Sequence, residues 1–225
     1  MRRFILVALV LSVFTLSSCL KGDDGYYEDT VAASLFLNAL PGSDGLIVAL
    51  DNNQLNNLAY GEYFQSGDVL PYRRIFPGNR IFRVFHPEDV NANVELARKE
   101  LFFNTGDYYS VFLAGNSEAD FEIFAIQDDI DSLDRDQALI RFIHLDAGGP
   151  ALNFGIEGAE SPIASAALFK SHTDFIEIAG DESYQFYIQA ADGSEEAYEF
   201  EWQPKSGDVY TIWVNDLSSH GVIRH

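Results

Sequence analysis

The chain contains two copies of one plan. Gly106-Asp107-Tyr108-Tyr109-Ser110-Val111-Phe112-Leu113 returns 101 positions later as Gly207-Asp208-Val209-Tyr210-Thr211-Ile212-Trp213-Val214. Leu35-Phe36-Leu37-Asn38-Ala39 matches Arg141-Phe142-Ile143-His144-Leu145 at a shift of 106, and Leu46 and Val48 then match Leu152 and Phe154. Gly78, Phe82 and Val84 fall against Gly180, Tyr184 and Phe186 at a shift of 102. An internal repeat of this kind binds both copies to the same architecture. The shrinking shift gives the first copy the longer loops. The expected organisation is one module over residues 32–127 and another over 137–225, joined by the acidic linker 128–136.

Each copy reads as strands. Tyr198, Phe200 and Trp202 alternate with Glu199 and Glu201, and Tyr184, Phe186 and Ile188 alternate with Gln185 and Gln189, so one face of each segment is apolar and the other solvated. Asp192-Gly193-Ser194, Lys205-Ser206-Gly207-Asp208, Gly78-Asn79 and Ala147-Gly148-Gly149-Pro150 punctuate them with turn chemistry. Seven such strands per module and no long helical period predict an all-β fold of two tandem antiparallel, immunoglobulin-like β-sandwiches. One turn of helix is expected between Asp89 and Glu100. In the repeated Gly-Asp-x-Tyr-Ser/Thr, Gly is expected to supply a hairpin's backbone angle, Asp to bond nearby amides and Tyr to start a strand. That is scaffold chemistry.

The N-terminus is a different kind of segment. Met1-Arg2-Arg3 precedes an apolar run from Phe4 to Phe14, too short for a spanning helix and typical of an export signal. Leu16-Ser17-Ser18-Cys19 is similar to a bacterial lipobox, and Cys19 is the only cysteine of the chain. The resemblance implies removal of residues 1–18 and acylation of Cys19, palmitate being the expected kind of chain. A thiolate is a strong nucleophile toward an alkylating lipid donor. Each buried acyl CH2 contributes about 0.8 kcal/mol, and two or more chains hold a protein at a membrane durably. Residues 19–31 form an acidic tether. Lys21, Asp23 and Asp24 in it resemble the surface-export signal of Bacteroidetes lipoproteins. The expected location is the outer membrane, on the cell surface or its periplasmic face.

Charge narrows the partners. The chain has 14 basic and 35 acidic residues, a net charge of -21. Loss of Arg2 and Arg3 with the signal takes this to 12 against 35, or -23. Phosphate backbones and anionic lipid repel such a body, which excludes nucleic acid as a partner and leaves the lipid on Cys19 to hold the membrane. With 47% apolar and 14% aromatic residues the chain still has the composition of a folded protein. A single cysteine forms no internal disulfide, so the core alone must hold it.

Ala138-Leu139-Ile140-Arg141-Phe142-Ile143-His144-Leu145-Asp146-Ala147-Gly148-Gly149-Pro150-Ala151-Leu152-Asn153-Phe154 resembles the opening of the domain of unknown function 4397 (DUF4397). There a strand ending in His or Asn precedes a small-residue turn with proline and a second strand. Asn38-Ala39-Leu40-Pro41-Gly42 is the first copy's version, and Asp146-Ala147 departs from the usual Ser-Pro. The resemblance implies a secreted or surface lipoprotein with tandem domains, and no activity.

The candidate chemistry is thin. His86, His144, His172, His220 and His225 show no metal-ligand spacing, and Asn38 stands where the second copy has His144, so no metal or cofactor is expected. His144 is expected to bond the turn after its strand. No Gly-x-Ser-x-Gly elbow is present. Glu199 and Glu201 share a strand face, but glycoside hydrolysis needs two carboxyls tuned apart across a cleft, so a solvated face explains them better. No catalytic residue is assigned. Asp128, Asp129, Asp131, Asp134 and Asp136 could offer oxygens to calcium or form a solvated hinge. Thr30 in Asp29-Thr30-Val31 and Ser132 in Asp131-Ser132-Leu133 are candidate O-glycosylation acceptors, similar to the Bacteroidetes motif. Phe112 and Trp213 either pack a neighbouring layer or form an aromatic platform for a sugar.

The resulting expectation is a non-enzymatic, lipid-anchored envelope protein binding glycan or protein through its loops. The alternative is a structural or assembly subunit of an outer-membrane complex.

Overall fold

The computed structural model describes residues 31–56, 63–130 and 133–225. Strand β1 (Ala32–Asn38) is followed by β2 (Ile47–Leu50), β3 (Asn53–Gln54), β4 (Val69–Ile75), β5 (Gly78–Phe85), β6 (Ala97–Phe103), β7 (Tyr108–Ser117) and β8 (Asp120–Gln127). The second series is β9 (Gln137–His144), β10 (Leu152–Ile156), β11 (Ala164–Ala167), β12 (Ile176–Ala179), β13 (Tyr184–Ala190), β14 (Tyr198–Trp202), β15 (Val209–Asp216) and β16 (Ser219–Arg224). They form four sheets. Sheet I has the order β3-β2-β5-β6, sheet II β4-β1-β7-β8, sheet III β12-β9-β15-β16 and sheet IV β11-β10-β13-β14. The second series repeats the first strand for strand.

The four sheets stack as layers, I on II on III on IV, with an apolar core at each of three interfaces. Phe36, Val48, Phe82, Val84, Phe103, Val111 and Leu113 fill the space between I and II. Phe142, Phe154, Phe186, Ile188, Ile212 and Val214 do the same between III and IV. The middle core, between II and III, holds Leu35, Leu37, Phe112, Ala114, Ile143, Leu145, Trp213 and Ile223. Sheets II and III therefore bury both faces, which is why β1, β7, β9 and β15 read as unbroken apolar runs. Sheet IV buries one face and its strands alternate, whereas the outer face of sheet I is partly covered, so that β2 is buried throughout. Phe142, Phe154, Phe186 and Phe200 form a ladder of stacked rings through the last core, with centroids 4.7, 5.6 and 5.4 Å apart.

Four details differ from the sequence reading. Each half has eight strands where seven were expected, because the edge strands β3 and β11 are only two and four residues long. Each inner sheet contains one parallel contact, β1 with β7 and β9 with β15, so the otherwise antiparallel sheets are mixed. The turns at Gly106 (φ 85°) and Gly207 (φ 79°) need glycine's left-handed freedom. They carry the chain between layers, from sheet I to II and from IV to III, and close no hairpin. Strand pairing also equates Phe82 with Phe186 and Val84 with Ile188, two places on from the alignment with Tyr184 and Phe186. The expected turn of helix is a 3-10 turn at Val90–Ala92.

Candidate functional site

The buried polar groups gather where sheets II and III meet. Ser110 of β7 and Thr211 of β15 end the repeated Gly-Asp-x-Tyr-Ser/Thr, and both are fully buried facing the middle core. Arg141 of β9, 2% exposed, lies among them. Its Nη2 donates to Asp128 Oδ1 at 2.5 Å and to Ser110 Oγ at 3.1 Å, and its Nε donates to Thr211 Oγ1 at 2.9 Å. Phe175 packs its ring on the guanidinium at 4.5 Å. Tyr72 of β4 donates its hydroxyl to Asp128 Oδ2 at 2.5 Å. His225 then closes a ring of hydrogen bonds, Nδ1 with Tyr72 Oη at 2.8 Å and Nε2 with Thr211 Oγ1 at 2.7 Å.

Burial decides the state of His225, and the neutral ring satisfies every partner around it. The Tyr72 proton goes to Asp128, so Tyr72 Oη accepts from His225 Nδ1–H. Thr211 Oγ1 accepts from Arg141 and donates to His225 Nε2. This is the circuit of a neutral imidazole with its proton on Nδ1, the form that burial favours by pushing His225 down to about 4, with Asp128 opposing the effect and Arg141 adding to it. Burial, followed by the Asp128 carboxylate, holds the Tyr72 proton in place well beyond the ordinary phenol range. The ring also draws on matching positions of the two copies. Asp128 N donates to Tyr108 O and His225 N to Val209 O, at 2.8 and 2.9 Å, so residues 128 and 225 occupy equivalent positions in the two copies. Asp128 is thereby taken out of the acidic linker and committed to an arginine. Among the described residues, no group of three or more His, Cys, Asp or Glu side chains is placed to hold a metal ion.

The strand ends Asn38 and His144 are latches. Asn38 Nδ2 donates to Phe64 O at 2.8 Å and Ser43 Oγ at 3.1 Å, while its Oδ1 accepts from Leu40 N at 3.1 Å. His144 Nδ1 donates to Ala167 O at 3.0 Å. Leu46 bridges to Phe64 as Leu152 pairs with Ala167, so Asn and His reach equivalent carbonyls. The expectation that His144 bonds the turn after its own strand is therefore corrected. Its Nε2 is buried without a partner, and burial lowers its basicity, as suits a neutral ring with its proton on Nδ1. The aspartates of the repeated turn do more than the reading expected. Asp107 accepts the Asn104 side-chain amide at 3.1 Å, and Asp107 and Asp208 also accept the buried phenols of Tyr109 and Tyr210, at 3.3 and 2.8 Å.

Phe112 and Trp213 are buried in the middle core, which decides against an aromatic platform at those positions. Trp213 lies across Gly221, where a Cβ would come within 2.2 Å of its ring. Glu199 and Glu201 are exposed on the outer face of sheet IV, on one strand and not across a cleft. Cys19, Thr30 and Ser132 lie outside the described residues. Sequence reasoning missed the polar ring, although a lone Arg141 inside the apolar run Leu139–Leu145 was its visible trace.

The two outer faces are the broad solvent-facing surfaces of the stack. On sheet I, Ile47, Ala49 and Phe85 are buried under Val90 of the 86–96 segment. Beside them Asp51, Asn52, Ile81, Arg83, Asn93, Glu95 and Arg98 line a cleft of about 460 Å³. Arg83 is held there by Glu95 and Asn93. The equivalent face of sheet IV carries Asn153, Gly155, Gln185, Tyr187, Gln189, Glu199 and Glu201.

The family model described as "Domain of unknown function (DUF4397)" matches residues 34–155, from β1 through β10, and includes both Asn38–Gly42 and Ala138–Phe154. The chain belongs to the DUF4397 family. The family's description names no activity. No curated protein matches this DUF4397 chain. Among solved structures it is similar to streptococcal family 41 carbohydrate-binding modules described as recognising α-glucan, at 9% identity over 84% of this chain and 96% of that one, with a TM-score of 0.28. It is also similar to a family 26 module of Eubacterium rectale Amy13K solved with maltoheptaose, at 8% identity over 87% and 97% of the chains, with a TM-score of 0.29. Superpositions this loose carry no argument about what the DUF4397 chain binds.

Proposed function

We propose that this chain is a non-enzymatic binding protein of the cell envelope, anchored by lipid on Cys19 and recognising a glycan or a protein outside the outer membrane. One observation carries the binding half of this reading. The buried ion pair Arg141–Asp128 and the groups around it all serve to join sheets, while the groups left to solvent spread over open sheet faces that suit recognition. The anchoring half rests on Leu16-Ser17-Ser18-Cys19 and the acidic tether after it. A second reading, assembly with a fixed protein partner, is favoured by exposed apolar side chains in the first half: Phe76 at 71%, Phe102 at 61% and Val94 at 55%.

Anchoring is tested by fractionating cells that express Cys19→Ala. Release into the soluble fraction, with loss of the acylated N-terminal peptide from the mass spectrum, is the expected result. Material that still pellets with membranes after a salt wash ends the lipid reading. Protease shaving of intact cells separates the surface from the periplasmic face.

A further inference from the structure

We propose that the outer face of sheet IV is a binding platform for a neutral polysaccharide, with Tyr187 as the ring on which a sugar stacks. The proposal deepens the glycan reading above and rests on it. It begins with strand register. Gly155, Tyr187 and Glu199 lie side by side across β10, β13 and β14; Asn153 sits beside Gln189, and Gln185 beside Glu201. Alternation puts all seven on the side away from Phe154, Phe186, Ile188 and Phe200, which fill the core.

Gly155 explains the posture of the tyrosine. A Cβ there would lie 2.6, 2.7 and 2.8 Å from Tyr187 Oη, Cζ and Cε1, so the phenol lies across the glycine backbone in the space a side chain would need. One ring face is thus covered by the sheet, and the other, on a half-exposed residue, meets solvent. A ring laid flat on a sheet presents a π surface to the C–H face of a pyranose. Around it the hydrogen-bonding groups are ordered. Asn153 Oδ1 accepts from Ala166 N at 2.9 Å, which leaves its amide N–H groups free as donors. Gln185 and Gln189 add amides, and Glu199 and Glu201 add carboxylate acceptors, Glu201 already taking the Ser183 hydroxyl at 2.6 Å. Mixed donors and acceptors about one aromatic plane suit a polyhydroxyl ligand.

The other copy shows what an unused version of this face looks like. Where sheet IV has Asn153, Gly155, Gln185 and Gln189, sheet I has Ile47, Ala49, Ile81 and Phe85, and Val90 roofs three of these four. The position of Tyr187 is taken there by Arg83, which Glu95 and Asn93 hold in the charged cleft, so the first copy has no ring laid on its sheet at this place. Charge selects among glycans. Glu199 and Glu201 stand on the face, and Glu195 and Glu196 lie in the β13–β14 loop at its rim, so uronate, sialate and phosphate sugars are repelled. A protein partner is disfavoured because, among the described residues, Tyr187 is the one aromatic ring on this face and amides and carboxylates surround it, whereas the centre of a protein interface is depleted of charge.

The test uses the full chain extracted in detergent and run through native gels containing glucomannan, soluble starch, a soluble β-1,3-glucan or polygalacturonate. Retardation by at least one neutral polymer is expected. Tyr187→Ala is then expected to weaken binding about tenfold or more, and Tyr187→Phe, which keeps the ring, to stay within about threefold. Should Tyr187→Ala fail to fold, the exposed double variant Gln185→Ala/Glu199→Ala is expected to lose about threefold or more by removing hydrogen bonds at the same site. Arg98→Ala on sheet I is expected to bind as the parent does. Unchanged neutral-glycan binding by Tyr187→Ala, or by the double variant in its place, overturns the platform and leaves the glycan reading standing. Retardation by polygalacturonate alone does the same. Failure of every polymer to retard the parent chain overturns both.

Discussion

Arg141 carries a charge at a depth where water contributes almost nothing, and its stability depends on Asp128 being there. Both side chains are at most 2% exposed. Removing one partner of a buried pair strands the other, at a cost of about 3–5 kcal/mol. Arg141→Ala is expected to lose that much in urea unfolding, whereas Arg141→Met with Asp128→Leu removes both charges and should lose much less. A single-variant loss below about 1 kcal/mol would mean the pair is solvated. His225 gives the same cluster a pH dependence. Its folded value of about 4 lies below the ordinary 6.5, so the unfolded chain takes up this proton first as pH falls. The stability tied to neutral His225 is whole above about pH 6.5 and is lost as pH falls towards 4. His144, His172 and His220 are displaced the same way, chiefly by burial. His225→Gln should flatten, without abolishing, the slope of stability against pH across that window; an unchanged slope would assign the acid sensitivity to the other three.

At the level of strands, the latches at Asn38 and His144 tie the ends of their strands to Phe64 O and Ala167 O of neighbouring segments. Asn38→Ala leaves Leu40 N without its bond, at about 1–3 kcal/mol, and leaves Phe64 O with the Leu46 N–H alone. The loss should appear in thermal unfolding together with faster hydrogen exchange around Leu46, which Phe64 pairs. Strands of the outer sheets were legible in the sequence because one buried face makes a period of two, as Tyr198 to Trp202 shows. Those of the inner sheets were legible only as repeats. With both faces covered, Leu35 to Asn38 and Leu139 to Leu145 have no period to read, and the parallel pairing of β1 with β7 leaves no local trace. Two-residue β3 lies below what alternation can register. The Tyr187 platform was half legible: Gln185, Gln189, Glu199 and Glu201 appeared as a solvated face, but the glycine under the ring is a cross-strand neighbour, and register is not written in spacing.

For the molecule as a whole, the middle core makes the two halves interdependent. Leu35, Leu37 and Phe112 of the first half pack with Ile143, Leu145 and Trp213 of the second, and Asn215 Nδ2 donates to Ala39 O at 2.9 Å. Lys170 adds a bond to Glu122 at 2.8 Å. A half alone would expose one side of this core, and the second would keep Arg141 without Asp128. The full chain is therefore expected to unfold in one transition, with near-ultraviolet signals from Trp202 in sheet IV and Trp213 at the join changing together. Two separated transitions would mean that the join contributes little. Doubling also has a consequence at positions 128 and 225. In a dimer of identical subunits these two equivalent positions would carry the same residue, two acids or two imidazoles. Carrying both copies on one polypeptide frees the two sites to diverge. The carboxylate at one site and the neutral ring at the other share the Tyr72 hydroxyl between them, an arrangement that two identical residues could not supply.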